Sequence, residues 1–355
     1  MNIIIKILLY PLSLIYQVIT DFRNLLFDWG IKKQQSFPFP IISIGNLTVG
    51  GTGKTPHTEL LIRLLLKQSY KIAVLSRGYK RKTKGTVFAN ENSTPQDIGD
   101  EPYQIYRKFF GQIDVFVDEK RCRALSKIPS DKYDVILLDD AYQHRYVKPG
   151  LSILLNDFNR PFYKDFTLPL GRLRESRKGK NRADIIITTK CDIHKLNVED
   201  EQKNIAPNAN QSIYFSQIKY GDITSVFEQK KSNFDLLTDV FLITGIANPQ
   251  PIIEYLQPKV HSITVMTFND HHDFTENDIK TIENQFNQIN SDKRIVLMTE
   301  KDAVKIFNSN FVSSKNKSYF YYLPIEVEIL KNQEKDFTKK IIDYVEENKR
   351  NRTIH

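Results

Sequence analysis

Cysteine is nearly absent: Cys122 and Cys191 are the only two in 355 residues. They supply neither a disulfide framework nor a zinc ligand set, which points to a reducing compartment. Internal repeats and low-complexity tracts are also missing. With 40% apolar and 26% charged residues, the chain reads as globular rather than disordered. No small-residue cleavage site follows the first apolar stretch, so a secretory signal peptide is not expected. That stretch, residues 3–19, is broken by Lys6, Pro11, Ser13 and Gln17. It falls short of the roughly 20 apolar residues that a membrane span needs. Lys6, Arg23, Lys32 and Lys33 punctuate or flank it, together with Tyr10, Tyr16 and Trp29. This mixture suits a helix lying in a membrane interface; the alternative is a terminal helix packed on the domain.

The chain is basic, with a net charge of +9. An anionic partner is expected: a nucleotide, a nucleic acid, an acidic lipid or a phosphorylated substrate. Short, nearly continuous apolar runs occur at residues 40–44, 72–75, 113–117, 135–138, 152–155 and 185–188. Such runs suit parallel strands buried on both faces. Helical patterns lie between several of them, notably at 58–67 and 102–109, and the alternation predicts an α/β three-layer fold. Residues 197–212 are polar and read as a surface loop, and 228–236 as a linker. A second α/β set follows, with strands at 240–244, 263–268 and 294–298 and helices near 274–289, 300–308 and 335–347. The expected organisation is an N-terminal membrane-associated helix over 1–30, a P-loop NTPase-like domain over 31–230 with a mostly parallel sheet flanked by helices, and a smaller C-terminal α/β lobe over 231–355.

The strand at 40–44 runs into Gly45-Asn46-Leu47-Thr48-Val49-Gly50-Gly51-Thr52-Gly53-Lys54-Thr55, and a helix follows with Pro56 in its first turn. Glycines let successive backbone N–H groups converge on phosphate oxygens, and the helix N-terminus adds dipole and free donors. Lys54 is placed to reach the β and γ phosphates, and the Thr55 hydroxyl to ligate Mg²⁺. The nucleotide-binding set is therefore Thr48, Val49, Gly50, Gly51, Thr52, Gly53, Lys54 and Thr55. Thr48 stands where the full pattern has glycine, so the loop entry is expected to differ in backbone geometry. Val135-Ile136-Leu137-Leu138 leads into Asp139 and Asp140. Two carboxylates at a strand's C-terminal end need a cation or donors, and one or both are expected to hold Mg²⁺.

Further motifs are Ser76-Arg77-Gly78-Tyr79, Gly99-Asp100-Glu101-Pro102, Leu138-Asp139-Asp140-Ala141-Tyr142-Gln143-His144-Arg145, Pro169-Leu170-Gly171-Arg172-Leu173-Arg174-Glu175 and Asp270-His271-His272. The set, in this order and over nearly the whole chain, resembles the tetraacyldisaccharide 4′-kinases, the lipid A kinases of Gram-negative bacteria. Threonine in place of the first P-loop glycine also resembles that family. The resemblance implies transfer of the ATP γ-phosphoryl to the 4′-hydroxyl of a tetraacylated glucosamine disaccharide 1-phosphate. It implies work at the cytoplasmic face of the inner membrane, peripherally or through an N-terminal anchor, and two lobes that close on the nucleotide. A monomer is expected, with no nucleic-acid partner.

Asp100 matches the family's proposed base, although Asp before Glu-Pro is also a good helix cap. Glu101 supports it or complements the helix dipole. His271 is expected to pair with Asp100 across the lobes, with His272 as the alternative partner; both histidines can instead cap the helix starting near Thr275. Lys54 joins these as a catalytic group. Tyr79, Gln143, His144, Arg174 and Glu175 match family positions near substrate or phosphates, and Arg121 follows the strand ending at Val117-Asp118. Residues 71–85 carry six basic side chains and no acid, and 172–182 carry six against Glu175. Such clusters suit an anionic lipid surface or are simply solvated loops. Thr189-Lys190-Cys191-Asp192 and Thr299-Glu300-Lys301-Asp302 resemble the guanine-reading loop of GTPases. Short matches of this kind arise readily by chance, but they keep open a membrane-associated GTPase or ATPase switch; a non-catalytic lipid-binding protein is the third class.

Overall fold

The computed structural model describes residues 3–246, 248–270, 272–307 and 310–353. The first helix, α1 (Ile3–Asp28), is 26 residues long. Two sheets follow. The first takes β1 (Ile41–Asn46), β2 (Ile72–Ser76), β3 (Val87–Phe88), β4 (Asp114–Val117), β5 (Val135–Leu138), β6 (Leu151–Asp157), β7 (Ile185–Thr189) and β8 (Ser212–Tyr220). The second takes β9 (Ile223–Ser225), β10 (Lys231–Ser232), β11 (Asp239–Thr244), β12 (Ser262–Thr267), β13 (Arg294–Thr299) and β14 (Phe320–Leu323). The chain then returns to the first sheet through β15 (Ile325–Ile329), which pairs antiparallel with β8.

The first sheet has nine strands in the order β15-β8-β7-β6-β1-β5-β2-β4-β3. From β8 to β4 every neighbouring pair is parallel. Burial on both faces explains the continuous apolar runs: Ile42 and Ile44 enter one core with Leu137, while Ile41 packs on the other face with Ile136 and Leu138. The remaining helices are α2 (Lys54–Leu66), α3 (Pro95–Ile98), α4 (Asp100–Lys108), α5 (Arg121–Leu125), α6 (Val198–Ile205), α7 (Gln250–Leu256), α8 (Glu276–Gln288), α9 (Glu300–Ile306) and α10 (Glu334–Thr353). Helices α2, α4 and α10 supply Leu61, Ile105 and Ile341 to the first of those cores. The second sheet buries Phe286 of α8 and Ile306 of α9 on one face and Leu256 of α7 on the other.

Several expectations change here. Residues 198–205, read as loop, form α6, because Asn197 caps it by accepting from the N–H groups of Glu199 and Asp200. The 228–236 linker contains β10, which pairs with β9. Strand pairing also divides the chain differently from the expected cut at 230. The second sheet begins at Ile223, and β15 and α10 belong with the first, where Phe337, Ile341 and Val345 pack into the P-loop core. Finally, α1 is long and apolar enough, by length and composition, to cross a membrane. Its outward residues Ile3, Ile7, Leu8 and Val18 are exposed.

Candidate active site

Strands β1, β2 and β5 end side by side, and the chemistry-bearing motifs follow their C-terminal ends, as in open α/β sheets generally. The P-loop leaves β1 and wraps into α2. Gly53, at the N-cap of α2, has φ 88°, a left-handed conformation that glycine adopts freely. Thr48 is not among the residues with positive φ. It sits in an extended bridge to Leu173, flanked by Val49 N–H donating to Arg172 O at 2.8 Å and Arg174 N–H donating to Leu47 O at 2.7 Å. A short β pairing therefore holds the loop entry, which accounts for a threonine where glycine is usual. Asn46 Nδ2 donates to Thr52 Oγ1 at 2.8 Å from below. Thr189 Oγ1 donates to Thr52 O at 2.9 Å, and Lys190 Nζ donates to Gly51 O while pairing with Asp157 at 2.7 Å. The Thr-Lys-Cys-Asp motif thus braces the back of the P-loop, and Asp192 pairs locally with Lys195.

Asp139 and Asp140 have different surroundings. Asp139 is fully buried; Oδ1 accepts from Thr58 Oγ1 at 3.1 Å, and Oδ2 has no hydrogen-bond partner. Burial, then the charges of Glu101 and Asp140, push its pKa up to about 7. Asp140 has φ 44°, strained for a non-glycine residue. Burial works to raise its pKa, but Lys54, Arg174 and Arg121 outweigh it and hold the carboxyl below its ordinary value. Lys54 Nζ lies 3.8 Å and Arg174 Nη1 3.1 Å from Asp140 Oδ1. A buried carboxylate oxygen without a donor, beside a P-loop lysine, fits a divalent cation. No cage of three or more His, Cys, Asp or Glu forms among the described residues.

The other expected residues fall into place unevenly. Arg121 is buried, and its Nη2 donates to the carbonyls of Asp139 at 3.1 Å and Asp140 at 2.9 Å. It pins the strained turn. Gln143, Arg174 and Glu175 come together: Gln143 Nε2 donates to Asn46 O at 2.8 Å and Glu175 Oε1 at 3.0 Å, and Arg174 Nη1 to Gln143 Oε1 at 3.3 Å. Glu175 is buried and also accepts from Arg182 at 2.8 Å, a partner that sequence reasoning missed. His144 stays neutral, because burial and then Arg121, Arg23 and Arg77 lower its pKa to about 4. Tyr79 is exposed. Its carbonyl lies 2.9 Å from where a Cβ on Gly99 would sit, so the loop preceding Asp100 needs glycine there, at φ 93°.

Helix α1 docks beside this cluster through its polar side. Ser13 Oγ donates to Thr167 O at 2.7 Å, Tyr16 OH to Arg174 O at 3.0 Å, Arg23 Nη2 to Gln143 O at 3.1 Å and Asn24 Nδ2 to Glu175 Oε2 at 2.7 Å. Its polar seam faces protein and most of its apolar side faces out.

Asp100 opens α4 at the boundary with the second sheet. His271 lies outside the described residues. His272 Nε2 is 3.0 Å from Asp278 Oδ2, its ring stacks on Phe268 at 4.7 Å, and Asp278 is the N3 residue of the Thr275 capping box. His272 therefore supports the start of α8. Among the described residues, Lys305 Nζ lies 3.8 Å from Asp100 Oδ2. No local pattern singled this lysine out.

The sequence model of the tetraacyldisaccharide-1-P 4′-kinase family matches residues 5–346. The chain is 47% identical to the tetraacyldisaccharide 4′-kinase of Bacteroides thetaiotaomicron, covering 97% of this chain and 94% of that one. It is 43% identical to that of Flavobacterium johnsoniae, covering 98% and 99%. A crystal structure of the "apo" form of LpxK from Aquifex aeolicus in complex with ATP has a TM-score of 0.74 and 29% identity, covering 96% of this chain and 99% of that chain. With the P-loop, the acidic pair and the Gln143-Arg174-Glu175 cluster in one place, and relatives matching over almost the full length, the chain belongs to the tetraacyldisaccharide-1-P 4′-kinase family.

Proposed function

We propose that residues 48–55 and Asp139 hold Mg²⁺-ATP, and that Asp100 takes the proton of the acceptor hydroxyl. The chain is a kinase of lipid A biosynthesis that phosphorylates the 4′-hydroxyl of a tetraacyldisaccharide 1-phosphate; this membership displaces the nucleotide-switch reading. The observation that carries the nucleotide site is the bare, buried Asp139 Oδ2 beside Lys54 and Asp140. Backbone N–H groups of the loop and Lys54 bind the phosphates, and the Thr55 hydroxyl and Asp139 hold the metal. Mg²⁺ held by these groups would supply positive charge against the phosphate oxygens during transfer. Asp140 is kept ionised by Lys54 and Arg174, which orients Lys54. Arg121 fixes the turn that carries both carboxylates.

In the transfer, the acceptor oxygen bonds to the γ-phosphorus as the bond to the ADP oxygen breaks, and the hydroxyl proton passes to the Asp100 carboxylate. His271 is the proposed partner of Asp100. Tyr79, Glu101, Gln143, His144, Arg174 and Glu175 line or shape the acceptor side. The enzyme works as a monomer on the cytoplasmic face of the inner membrane, with the apolar side of α1 in the bilayer. The two sheets act as lobes that close on the nucleotide, hinged at the adjacent strands β8 and β15. The test is incubation of the full chain with Mg²⁺-ATP and a tetraacylated disaccharide 1-phosphate, followed by mass spectrometry. Gain of one phosphoryl group at the 4′ position, lost in Asp100→Asn, is the expected result. An Asp100→Asn variant with unimpaired turnover would remove Asp100 from the chemistry.

A further inference from the structure

Thr299-Glu300-Lys301-Asp302 resembles a base-reading loop only in its letters, for it opens α9. The helix lies against α4 and engages both ends of it. At the C-terminal end of α4, Lys108 Nζ is 2.8 Å from Glu300 and 2.7 Å from Glu59 of α2. The Arg107 guanidinium sits 4.0 Å over the Phe307 ring. At the N-terminal end, Lys305 Nζ lies 3.8 Å from Asp100 Oδ2. The same ammonium donates to His272 O at 2.9 Å and Asp302 Oδ1 at 3.3 Å, and stands 5.9 Å from the Phe274 ring centroid.

Lys305 has only 4% of its side chain exposed. A buried ammonium is tolerated only where anions and acceptors meet it. Asp302 is already engaged by Thr299 Oγ1 at 2.6 Å and Gly245 N–H at 2.8 Å. Its second oxygen faces Lys305, and the remaining charge of the lysine is directed to Asp100. Lys301 pairs with Asp270 at 2.8 Å, so α9 also ties down the loop that carries His272.

We propose that Lys305 is a positioning residue for phosphoryl transfer: from the second lobe it seats the Asp100 carboxylate and the His272 backbone against each other. This rests on the reading of Asp100 as proton acceptor. Positioning of this kind acts on turnover and leaves nucleotide affinity alone, since the contacts of Lys305 are with Asp100, Asp302, His272 and Phe274 and not with the P-loop.

The test uses the full chain on detergent-dispersed lipid, with ATP affinity measured separately. Lys305→Gln, which keeps a donor for the His272 carbonyl and removes the charge, should lower kcat by about 10²-fold with KM and Kd for ATP within about 3-fold. Lys305→Arg should recover kcat to within about 10-fold, since charge is kept and only geometry changes. In an Asp100→Asn background, Lys305→Gln should cost less than about 3-fold further. If Lys305→Gln does not fold by thermal denaturation, Lys305→Met carries the same measurements. Losses that multiply in the double variant, or a rise in KM for ATP at unchanged kcat, would overturn the proposal. Full turnover in Asp100→Asn alone would instead overturn the base assignment, whatever Lys305 does.

Discussion

Lys54 and Asp140 face each other at 3.8 Å, on a turn whose carbonyls are held by a buried arginine. The P-loop lysine is thus oriented by the acidic turn through a fixed charge and needs no nucleotide to find its direction. Lys54→Ala removes a cation from the developing phosphate charge, and Thr55→Ala removes a hydroxyl proposed for the metal. Each should reduce turnover by about 10²–10³-fold or more with the fold intact by circular dichroism. Near-normal turnover in either folded variant would sink the nucleotide assignment.

Asp139 and Asp140 should respond differently to neutralisation. Asp139→Asn replaces the carboxylate with the bare oxygen, so the Mg²⁺ concentration for half-maximal rate should rise by about 10-fold or more. Asp140→Asn frees Lys54 and Arg174, and should lower kcat with a smaller change in Mg²⁺ dependence. Titration of Mg²⁺ at saturating ATP separates the two; equal metal shifts would mean that both carboxylates bind it.

Glu300 offers a pH test away from the nucleotide. Burial, then the nearby Glu59, push its pKa up to about 7 despite the pairing with Lys108. Its folded-state pKa therefore lies above the unfolded value of about 4.3. The folded state holds this proton more tightly, so the contribution to stability is greatest below pH 4 and falls as pH rises through 7. Glu300→Gln should therefore gain on wild type between pH 5 and pH 8, by about 1–3 kcal/mol. Denaturant unfolding at both pH values measures it, and a constant difference would mean the carboxyl titrates normally.

The two sides of α1 should separate in mutants. Ile7→Asp with Leu8→Asp on the exposed face should abolish sedimentation with anionic vesicles, with turnover on detergent-dispersed substrate retained within about 3-fold. Asn24→Ala removes a donor from buried Glu175 and should cost turnover about 10-fold while vesicle binding persists. Loss of vesicle binding in Asn24→Ala alone would show that the polar seam, and not the apolar face, meets the lipid.

The site was legible where its chemistry is local. Strand, Gly-Lys-Thr and helix stand in one stretch of residues, and Asp139-Asp140 ends an apolar run, so both appear in the one-dimensional pattern. The strands β1, β2 and β5 are buried on both faces and read as uninterrupted apolar runs. In contrast, Ser212–Tyr220 mixes Gln217 and Lys219 into its exposed half, and Ile325–Ile329 alternates Ile, Val and Glu at a sheet edge. Their pairing joins residues more than 100 positions apart, which no local periodicity encodes. Lys305 was missed for the same reason: one of 51 basic residues, it is distinguished only by what the second lobe brings it against.

The hydroxyl of Tyr344 on α10 bonds both main-chain groups of Ile41 in β1, across 303 residues of chain. At about 5–20 residues per second of synthesis, β1 waits on the order of 15–60 s for that partner to be made. Helix α1 waits too, since Thr167 emerges 154 residues after Ser13. For that interval the most apolar segment of the chain is out of the ribosome with its polar seam unmatched. If α1 meets lipid as proposed, a bilayer close to the site of synthesis would have first access to it, and the kinase would be assembled afterwards around a helix already at that surface.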